Sequence, residues 1–74
     1  MFNKYRKIIR VSGMTCEHCA SRVKTAFGDI DGVKKVKINL NEGLVSIFTD
    51  KEIEVDVFKN EIERLGYKFV GEQL

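Results

Sequence analysis

Residues 33–49, VKKVKINLNEGLVSIFT, have the pattern of two β-strands joined by a tight turn. Apolar and polar residues alternate through residues 33–40 and again through residues 44–49, which is typical of strands with one buried face. The linking residues 41–43, Asn-Glu-Gly, form a short hairpin loop with Gly in its usual place. The predicted inward residues are Val36, Ile38, Leu40, Val45 and Ile47. The centre of the chain is therefore predicted to be an antiparallel hairpin.

An amphipathic helix is predicted on each side of this hairpin. The first runs over residues 16–27, where Gly28 is expected to supply a left-handed stop, and the second ends at Gly66. Acidic residues near the start of the second helix and Arg64 near its end suit the helix dipole. The apolar stripes are Cys19, Ala20, Val23, Ala26 and Phe27 in the first helix, and Val55, Phe58, Ile62 and Leu65 in the second.

Two outer strands complete the pattern. Residues 4–12 alternate so that Ile9 and Val11 share a buried face, and residues 67–70 form a short last strand. The order βαββαβ predicts an α+β, ferredoxin-like fold, in which two helices cover one face of a four-stranded antiparallel sheet.

Composition limits the chain to one small domain. Its 74 residues, 43% apolar and 32% charged, suit a single globular domain over residues 1–74 with its core in residues 7–70. No apolar run could span a bilayer, no export signal follows the basic start, and two cysteines do not make a disulfide framework. The sequence therefore predicts a cytoplasmic protein with reduced thiols, and Met1 and Leu74 favour a complete small protein.

Charge is unevenly distributed along the chain. Residues 1–37 carry nine Lys or Arg against three Asp or Glu, whereas residues 38–74 carry four against eight. This polarity could guide an acidic partner, or could simply serve solubility. RNA-recognition domains share the fold but need a Lys/Arg-Gly-Phe/Tyr-type motif that no segment fits, so nucleic acid is not expected. Ligand-binding regulatory domains also share it, but would leave the cysteines unexplained.

The segment Gly-Met-Thr-Cys-Glu-His-Cys, residues 13–19, lies between the first strand and the first helix. Unpaired N–H groups at a helix start favour the thiolate form of a cysteine. Cys16 and Cys19 are therefore predicted to bind a soft metal ion between their two sulfur atoms. Two sulfurs can complete a Cu(I) site, whereas zinc needs four ligands and His18 is poorly placed to be one. A carboxylate, a water or a second molecule could still complete a zinc or cadmium site.

A Cys-x-x-Cys motif can also serve functions other than metal binding. Thiol–disulfide exchange is the main rival, but thioredoxin-like folds run to about 100 residues and carry a cis proline, whereas this chain has no proline. Haem attachment requires His after the second cysteine, where Ala20 stands. A disulfide across so short a loop stabilises little, and incidental buried cysteines do not suit a Gly-flanked loop.

The motif resembles the Gly-Met-x-Cys-x-x-Cys signature of the heavy-metal-associated domain family. The resemblance covers residues 7–70 and includes Gly32-Val33, Val36, Asn39-Leu40, Gly43 and Leu65-Gly66-Tyr67. It implies a ferredoxin-like domain that binds Cu(I), and in some branches Hg(II), Zn(II) or Cd(II), through Cys16 and Cys19. The presence of His at position 18 and Tyr at position 67 resembles the bacterial copper-chaperone branch of the family. Eukaryotic chaperones tend to carry Lys where Tyr67 stands.

Four neighbours are candidates for a layer around the two cysteines: Met14, Thr15, His18 and Tyr67. Met14 is expected in the core rather than as a thioether ligand. His18 is either a solvent-facing group that tunes Cys19 or an ordinary surface residue. Tyr67 either covers the core or shields the metal and hydrogen-bonds to sulfur.

The resemblance implies a cytosolic Cu(I) metallochaperone that transfers its ion by thiolate exchange and is not an enzyme. The implied recipients are a copper-transporting P-type ATPase or a copper-responsive repressor, with Arg22 and Lys24 either contacting the partner or merely solvated. The metal-free chain is expected to be monomeric and not inserted in a membrane, and shared thiolates could bridge a copper-bound dimer. Alternatives are an excised N-terminal ATPase domain, a Zn, Cd or Hg carrier, and a redox protein.

Overall fold

The computed structural model describes residues 5–73 and contains four strands and two helices. Their order along the chain is β1(Tyr5–Ser12), α1(Glu17–Gly28), β2(Val33–Asn39), β3(Leu44–Thr49), α2(Val55–Arg64) and β4(Lys68–Gln73). The strands form one antiparallel sheet in the spatial order β2-β3-β1-β4. This arrangement confirms the predicted ferredoxin-like fold. Neither helix within residues 5–73 has the length and apolar character needed to cross a bilayer.

The core lies between the sheet and the two helices. Ile9 of β1 and Val45 of β3 are paired across the sheet and fully buried, as the alternating pattern predicts. From the helices, the rings of Phe27 and Phe58 meet at a centroid distance of 5.2 Å and an angle of 55°, a favourable tilted aromatic contact. The other core residues are Val11, Met14, Val23, Val36, Ile47, Ile53 and Ile62.

Strands β1, β2 and β4 differ in extent from the prediction. Strand β1 is described from Tyr5, and Lys4, the predicted first residue, lies outside the described residues. Strand β2 ends at Asn39, so Leu40 lies in the turn while still packing against the core. Strand β4 continues to Gln73 rather than ending at residue 70, because its last residues pair with β1 beyond a shift in register after Arg10.

The two helix ends use glycine differently. Gly66, which was predicted to end the second helix, follows α2 with φ +94, a conformation that favours glycine. The prediction for Gly28 is wrong, because it is the last residue of α1 and its φ is not positive. Asp29 caps α1 in the right-handed region and donates its N–H to the Thr25 carbonyl oxygen, and the left-handed turn comes later, at Gly32 with φ +97.

This difference predicts opposite effects for one substitution at two helix ends. A Cβ would meet no atom within 4 Å at either Gly28 or Gly66, so only the backbone conformation separates the two sites. Gly28→Ala should stabilise the protein by about 0.4 to 1 kcal/mol by restricting the unfolded chain. Gly66→Ala should destabilise it by about 1 to 2 kcal/mol because alanine is strained at positive φ. Urea unfolding of both variants checks this, and destabilisation by Gly28→Ala would contradict the assigned helix end.

Candidate metal centre

The cysteine motif lies where β1 ends and α1 begins. Gly13 turns the chain with φ +104, and Cys16 is extended immediately before the helix, with φ −154 and ψ 171. The Ala20 N–H donates to the Cys16 carbonyl oxygen at 3.2 Å, which starts the helical hydrogen bonding. Cys16 is exposed and Cys19, within the first turn of α1, is partly buried. The helix start therefore presents both side chains at one end of the sheet.

The two thiols are free and their sulfur atoms lie 3.8 Å apart. At that separation, two metal–sulfur bonds of about 2.3 Å, the zinc–thiolate value, would meet at the metal ion at an angle of about 110°. A linear arrangement at the same bond length would need about 4.6 Å, which is less than 1 Å wider and within reach of the exposed Cys16. The pair can thus accept a bent or a linear site with little movement.

The cysteine pair has no companion His, Asp or Glu ligand in the part of the chain that the structure describes. Within residues 5–73, no group of three or more His, Cys, Asp or Glu side chains is placed to hold a metal ion. Two thiolates suit a soft ion of low coordination number, whereas a closed tetrahedral zinc site needs two more donors. The donor set therefore fits an ion bound by two sulfurs and open to an incoming ligand.

The surroundings of Cys19 favour its thiolate. They lower the pKa of Cys19 from 9.0 to about 7, and the largest cause is the hydroxyl group of Tyr67, followed by the backbone of Thr15. Partial burial opposes the shift, and Cys16 adds to it. The same contact, with burial, raises the pKa of Tyr67. The Tyr67 hydroxyl is buried and has no hydrogen-bond partner of ordinary geometry among the described residues, so its proton is available to the sulfur.

Tyr67→Phe should raise the pKa of Cys19 from about 7 toward 9.0 by removing this donor. A lowered pKa of Cys19 stabilises the folded protein at pH values above the pKa of this thiol in the unfolded chain. That stabilisation is lost as pH falls through about 7, the pKa of Cys19 in the folded protein. The pH midpoint of thiolate ultraviolet absorbance in metal-free protein measures the shift. Tyr5→Phe, at a Tyr that is 43% exposed, is the matched control and should leave the midpoint unchanged. An unchanged midpoint in Tyr67→Phe would contradict the role of the hydroxyl.

The other predicted neighbours occupy different environments. Met14 is only 8% exposed and belongs to the core, which places its thioether away from the surface that Cys16 occupies. Thr15 is exposed and acts on Cys19 through its backbone. His18 is exposed and is not among the groups that shift the pKa of Cys19. The largest contribution to the lowered pKa of Cys19 thus comes from Tyr67, and the exposure of His18 agrees with its alternative as an ordinary surface residue.

Tyr67 connects the loop before β4 to the cysteine loop. A Cβ on Gly13 would lie 3.4 Å from Cδ1 of Tyr67, so the ring packs closely against the residue that turns the chain toward Cys16. The guanidinium of Arg22 lies 5.9 Å from the ring centroid, near the limit of a cation–π contact. Arg22 therefore lies close to the motif, whereas Lys24 is exposed beside the groove between α1 and β2. Of these contacts, only the turn at Gly13 has a signal in the sequence. The contact between Arg22 and Tyr67 joins two segments that are distant along the chain, and no local pattern indicates it.

Known proteins with the same sequence pattern support this assignment. The family model of the heavy-metal-associated domain matches residues 8–68. Copper chaperone CopZ of Staphylococcus aureus is 41% identical over 66 residues, which is 88% of this chain and 97% of the relative. A probable copper-exporting P-type ATPase of Archaeoglobus fulgidus is also 41% identical, over 68 residues, but the chain spans only 8% of its length.

Solved structures agree with the sequence comparisons. A CopZ metallochaperone superposes with a TM-score of 0.82 at 40% identity, covering 89% of this chain and all of that one. The yeast copper transporter domain Ccc2a superposes with a TM-score of 0.85 at 29% identity, covering 93% and 94% of the two chains. The sequence motif, the fold and these relatives agree, and the chain belongs to the heavy-metal-associated domain family.

Proposed function

We propose that this chain, as one domain over residues 1–74, is a Cu(I) carrier of the cytoplasm rather than an enzyme. The observation that supports this most directly is the pair of free sulfur atoms of Cys16 and Cys19, 3.8 Å apart at an accessible helix start. Two soft donors, without a third side-chain ligand among the described residues, favour Cu(I) over zinc. Relatives named copper chaperones that match nearly end to end support the same function.

Transfer follows from low coordination. A partner thiolate bonds to the Cu(I) ion first, giving a three-coordinate intermediate, and one of the original Cu–S bonds then breaks. A second exchange of the same kind completes the transfer, so one bond forms for each that breaks and no redox change occurs. The exposed Cys16 is the accessible first point of exchange, while the lowered pKa of Cys19, about 7, increases the thiolate fraction of that residue near neutral pH. The carrier therefore never needs to release a free ion.

The proposed recipients are the metal-binding domains of a copper P-type ATPase, or a copper-responsive repressor. Arg22 and Lys24 are both exposed on α1, Arg22 near the cysteine motif and Lys24 beside the groove between α1 and β2, so they can meet acidic groups of such a partner. The similarity to an ATPase of Archaeoglobus fulgidus also supports a second candidate function, as a metal-binding domain of an ATPase. The same cysteine pair would serve in both settings, with a bound ion that could also bridge two copies of an otherwise monomeric chain.

Other metals and redox chemistry are weaker proposals. Hg(II), which the family resemblance implies for some branches, is a soft ion that two thiolates can bind. Zn(II) and Cd(II) would need donors beyond Cys16 and Cys19, supplied by water or by a partner. A disulfide-exchange protein of the thioredoxin type would carry a cis proline beside its cysteine pair, and this chain has no proline.

The transfer experiment mixes Cu(I)-loaded protein with a metal-binding domain of a copper ATPase, under anaerobic conditions and with a chelator that captures free Cu(I). Transfer should persist in the chelator, because copper passes directly between thiolates. An acceptor with both cysteines changed to serine is the control and should receive none. Transfer that stops when the chelator is added would show release of free copper and would contradict direct exchange.

A further inference from the structure

The sheet has a second face that the helices do not cover. We define the open face by the rows of residues that pair across the strands: Arg6, Phe48 and Lys35; Ile8, Ser46 and Lys37; Arg10, Leu44 and Asn39; Ser12 and Lys68. Paired residues point to the same side of a sheet, and these alternate with Ile9 and Val45, which point into the core. Within residues 5–73, the open face therefore carries five cations and no Asp or Glu.

The cations of the open face form no ion pair within the described residues. Four ion pairs occur within residues 5–73, and they involve Lys7, Lys34, Lys51 and Arg64, none of which belongs to this face. Arg10 is held across the sheet by two neutral acceptors, the Gln73 side chain at 2.9 Å and the Glu42 carbonyl oxygen at 3.3 Å. The five exposed charges are thus left to act together on one side of the molecule.

The apolar residues of the open face lie between these charges. Ile8, Leu44 and Phe48 are partly buried in the first three rows, with Arg6 and Lys35 on either side of Phe48. With strands about 4.8 Å apart, the four strands span about 14 Å, and the surface is broad rather than a cleft. Its shape and charge suit a wide anionic surface with an apolar layer beneath.

We propose that the open face binds peripherally to the anionic surface of a phospholipid bilayer. A second copy of this chain does not fit, because two such faces would repel each other. Single-stranded RNA is disfavoured, since base stacking needs exposed aromatic rings, whereas Phe48 is the one aromatic of this face and is partly buried. A bilayer accepts several cations at once without demanding a specific geometry for each.

The bound orientation leaves the cysteine loop accessible. The loop follows Ser12 at one end of the sheet, and α1 and α2 cover the opposite face. Sheet-down binding would therefore hold the domain at the membrane surface without covering Cys16. Because the proposed membrane interaction does not involve a metal ion, it can be tested separately from the proposed copper transfer.

Vesicle binding tests the charge requirement. The metal-free, reduced protein is sedimented with vesicles of phosphatidylglycerol and phosphatidylcholine, and with phosphatidylcholine vesicles alone. Binding should require phosphatidylglycerol and weaken as salt rises from about 0.1 M to about 1 M, where the Debye length falls to about 3 Å. At about fivefold per cation, from roughly 1 kcal/mol each, the double variant Lys35→Gln/Lys37→Gln should bind about 30-fold more weakly.

A matched double variant separates the open face from overall charge. Lys24→Gln/Lys59→Gln removes the same charge from exposed positions on the two helices and should bind much more strongly than the double variant of the open face. Equal weakening by both double variants would show that net charge alone decides, and would overturn the proposal. Absence of binding to phosphatidylglycerol vesicles, or displacement by a single-stranded oligonucleotide with the same variant dependence, would overturn it as well.

Fluorescence tests which side touches the lipid. The chain has no Trp, so Phe48→Trp and, separately, Val57→Trp place one reporter on the open face and one on α2, where Val57 is 40% exposed. Brominated phosphatidylglycerol should quench Trp at position 48 and leave Trp at position 57 unquenched. Quenching at position 57 alone, or equal quenching at both, would contradict the assigned orientation.

Discussion

Cys16→Ala is expected to abolish stoichiometric Cu(I) binding while leaving the fold intact. The variant removes one of two sulfur donors, and within residues 5–73 no third side chain is placed to replace it. The loss of affinity should therefore exceed the 10- to 100-fold that changes in outer-layer residues typically cause. The fold should persist because Cys16 is exposed and contributes nothing to the core. Competition with a Cu(I) chelator, together with circular dichroism, measures both outcomes.

Met14→Leu is the control for this cysteine variant. It removes the only other sulfur of the motif, and Leu conserves the volume of a side chain that is 8% exposed, at a cost below about 1.5 kcal/mol. Cu(I) binding should be retained. Loss of copper in Met14→Leu would show that the thioether is a ligand, and retained stoichiometric binding in Cys16→Ala would remove that cysteine from the site.

Phe58→Ala is expected to destabilise the protein by about 3 to 5 kcal/mol. Phe58 is fully buried, and its ring lies 5.2 Å from that of Phe27, so truncation empties the space between the two helices. At 0.05 to 0.15 kcal/mol per residue, a chain of this length has about 4 to 11 kcal/mol of stability in total. The variant should therefore lose a large share of its total stability, and the midpoint of its urea or thermal unfolding should fall steeply.

The neighbouring residue supplies the control for Phe58→Ala. Val57 lies next to it in α2 but is 40% exposed, and Val57→Ala should change stability by no more than about 0.5 kcal/mol. Similar losses for both variants would contradict the assignment of the buried helix face. If Cu(I) binds only the folded chain, its addition should restore part of the stability that Phe58→Ala loses.

The fold was largely predictable because short-range patterns determine it. The alternation at Val45 and Ile47 and the helical spacing of Phe58 and Ile62 each mark one buried face, and all four residues are fully buried. The end of β4 was not predictable, because Gly71 and the residues after it carry no strand pattern and are ordered by pairing with β1. Gly28 was misassigned because sequence alone does not show which of two nearby glycines adopts positive φ.

The candidate site divides in the same way. Cys16 and Cys19 can be found from their spacing at a helix start, and the topology brings Tyr67 toward them. The lowered pKa of Cys19 depends most on the Tyr67 hydroxyl group, for which the sequence left two roles open, because the contact joins residues nearly fifty positions apart. His18 was left between a tuning group and an ordinary surface residue, and it is exposed and not among the groups that shift the pKa of Cys19. Local spacing thus identifies the cysteine pair, whereas contacts between distant segments stay as alternatives until the fold is known.

Anaerobic titration of the reduced protein with Cu(I), in competition with a chelator of known affinity and repeated with Zn(II), tests the carrier assignment most directly. The arrangement of Cys16 and Cys19 predicts saturation at one Cu(I) per chain, with an affinity far above that for Zn(II), since only two sulfur donors are supplied. Weak binding, or zinc binding as tight as copper binding, would contradict it.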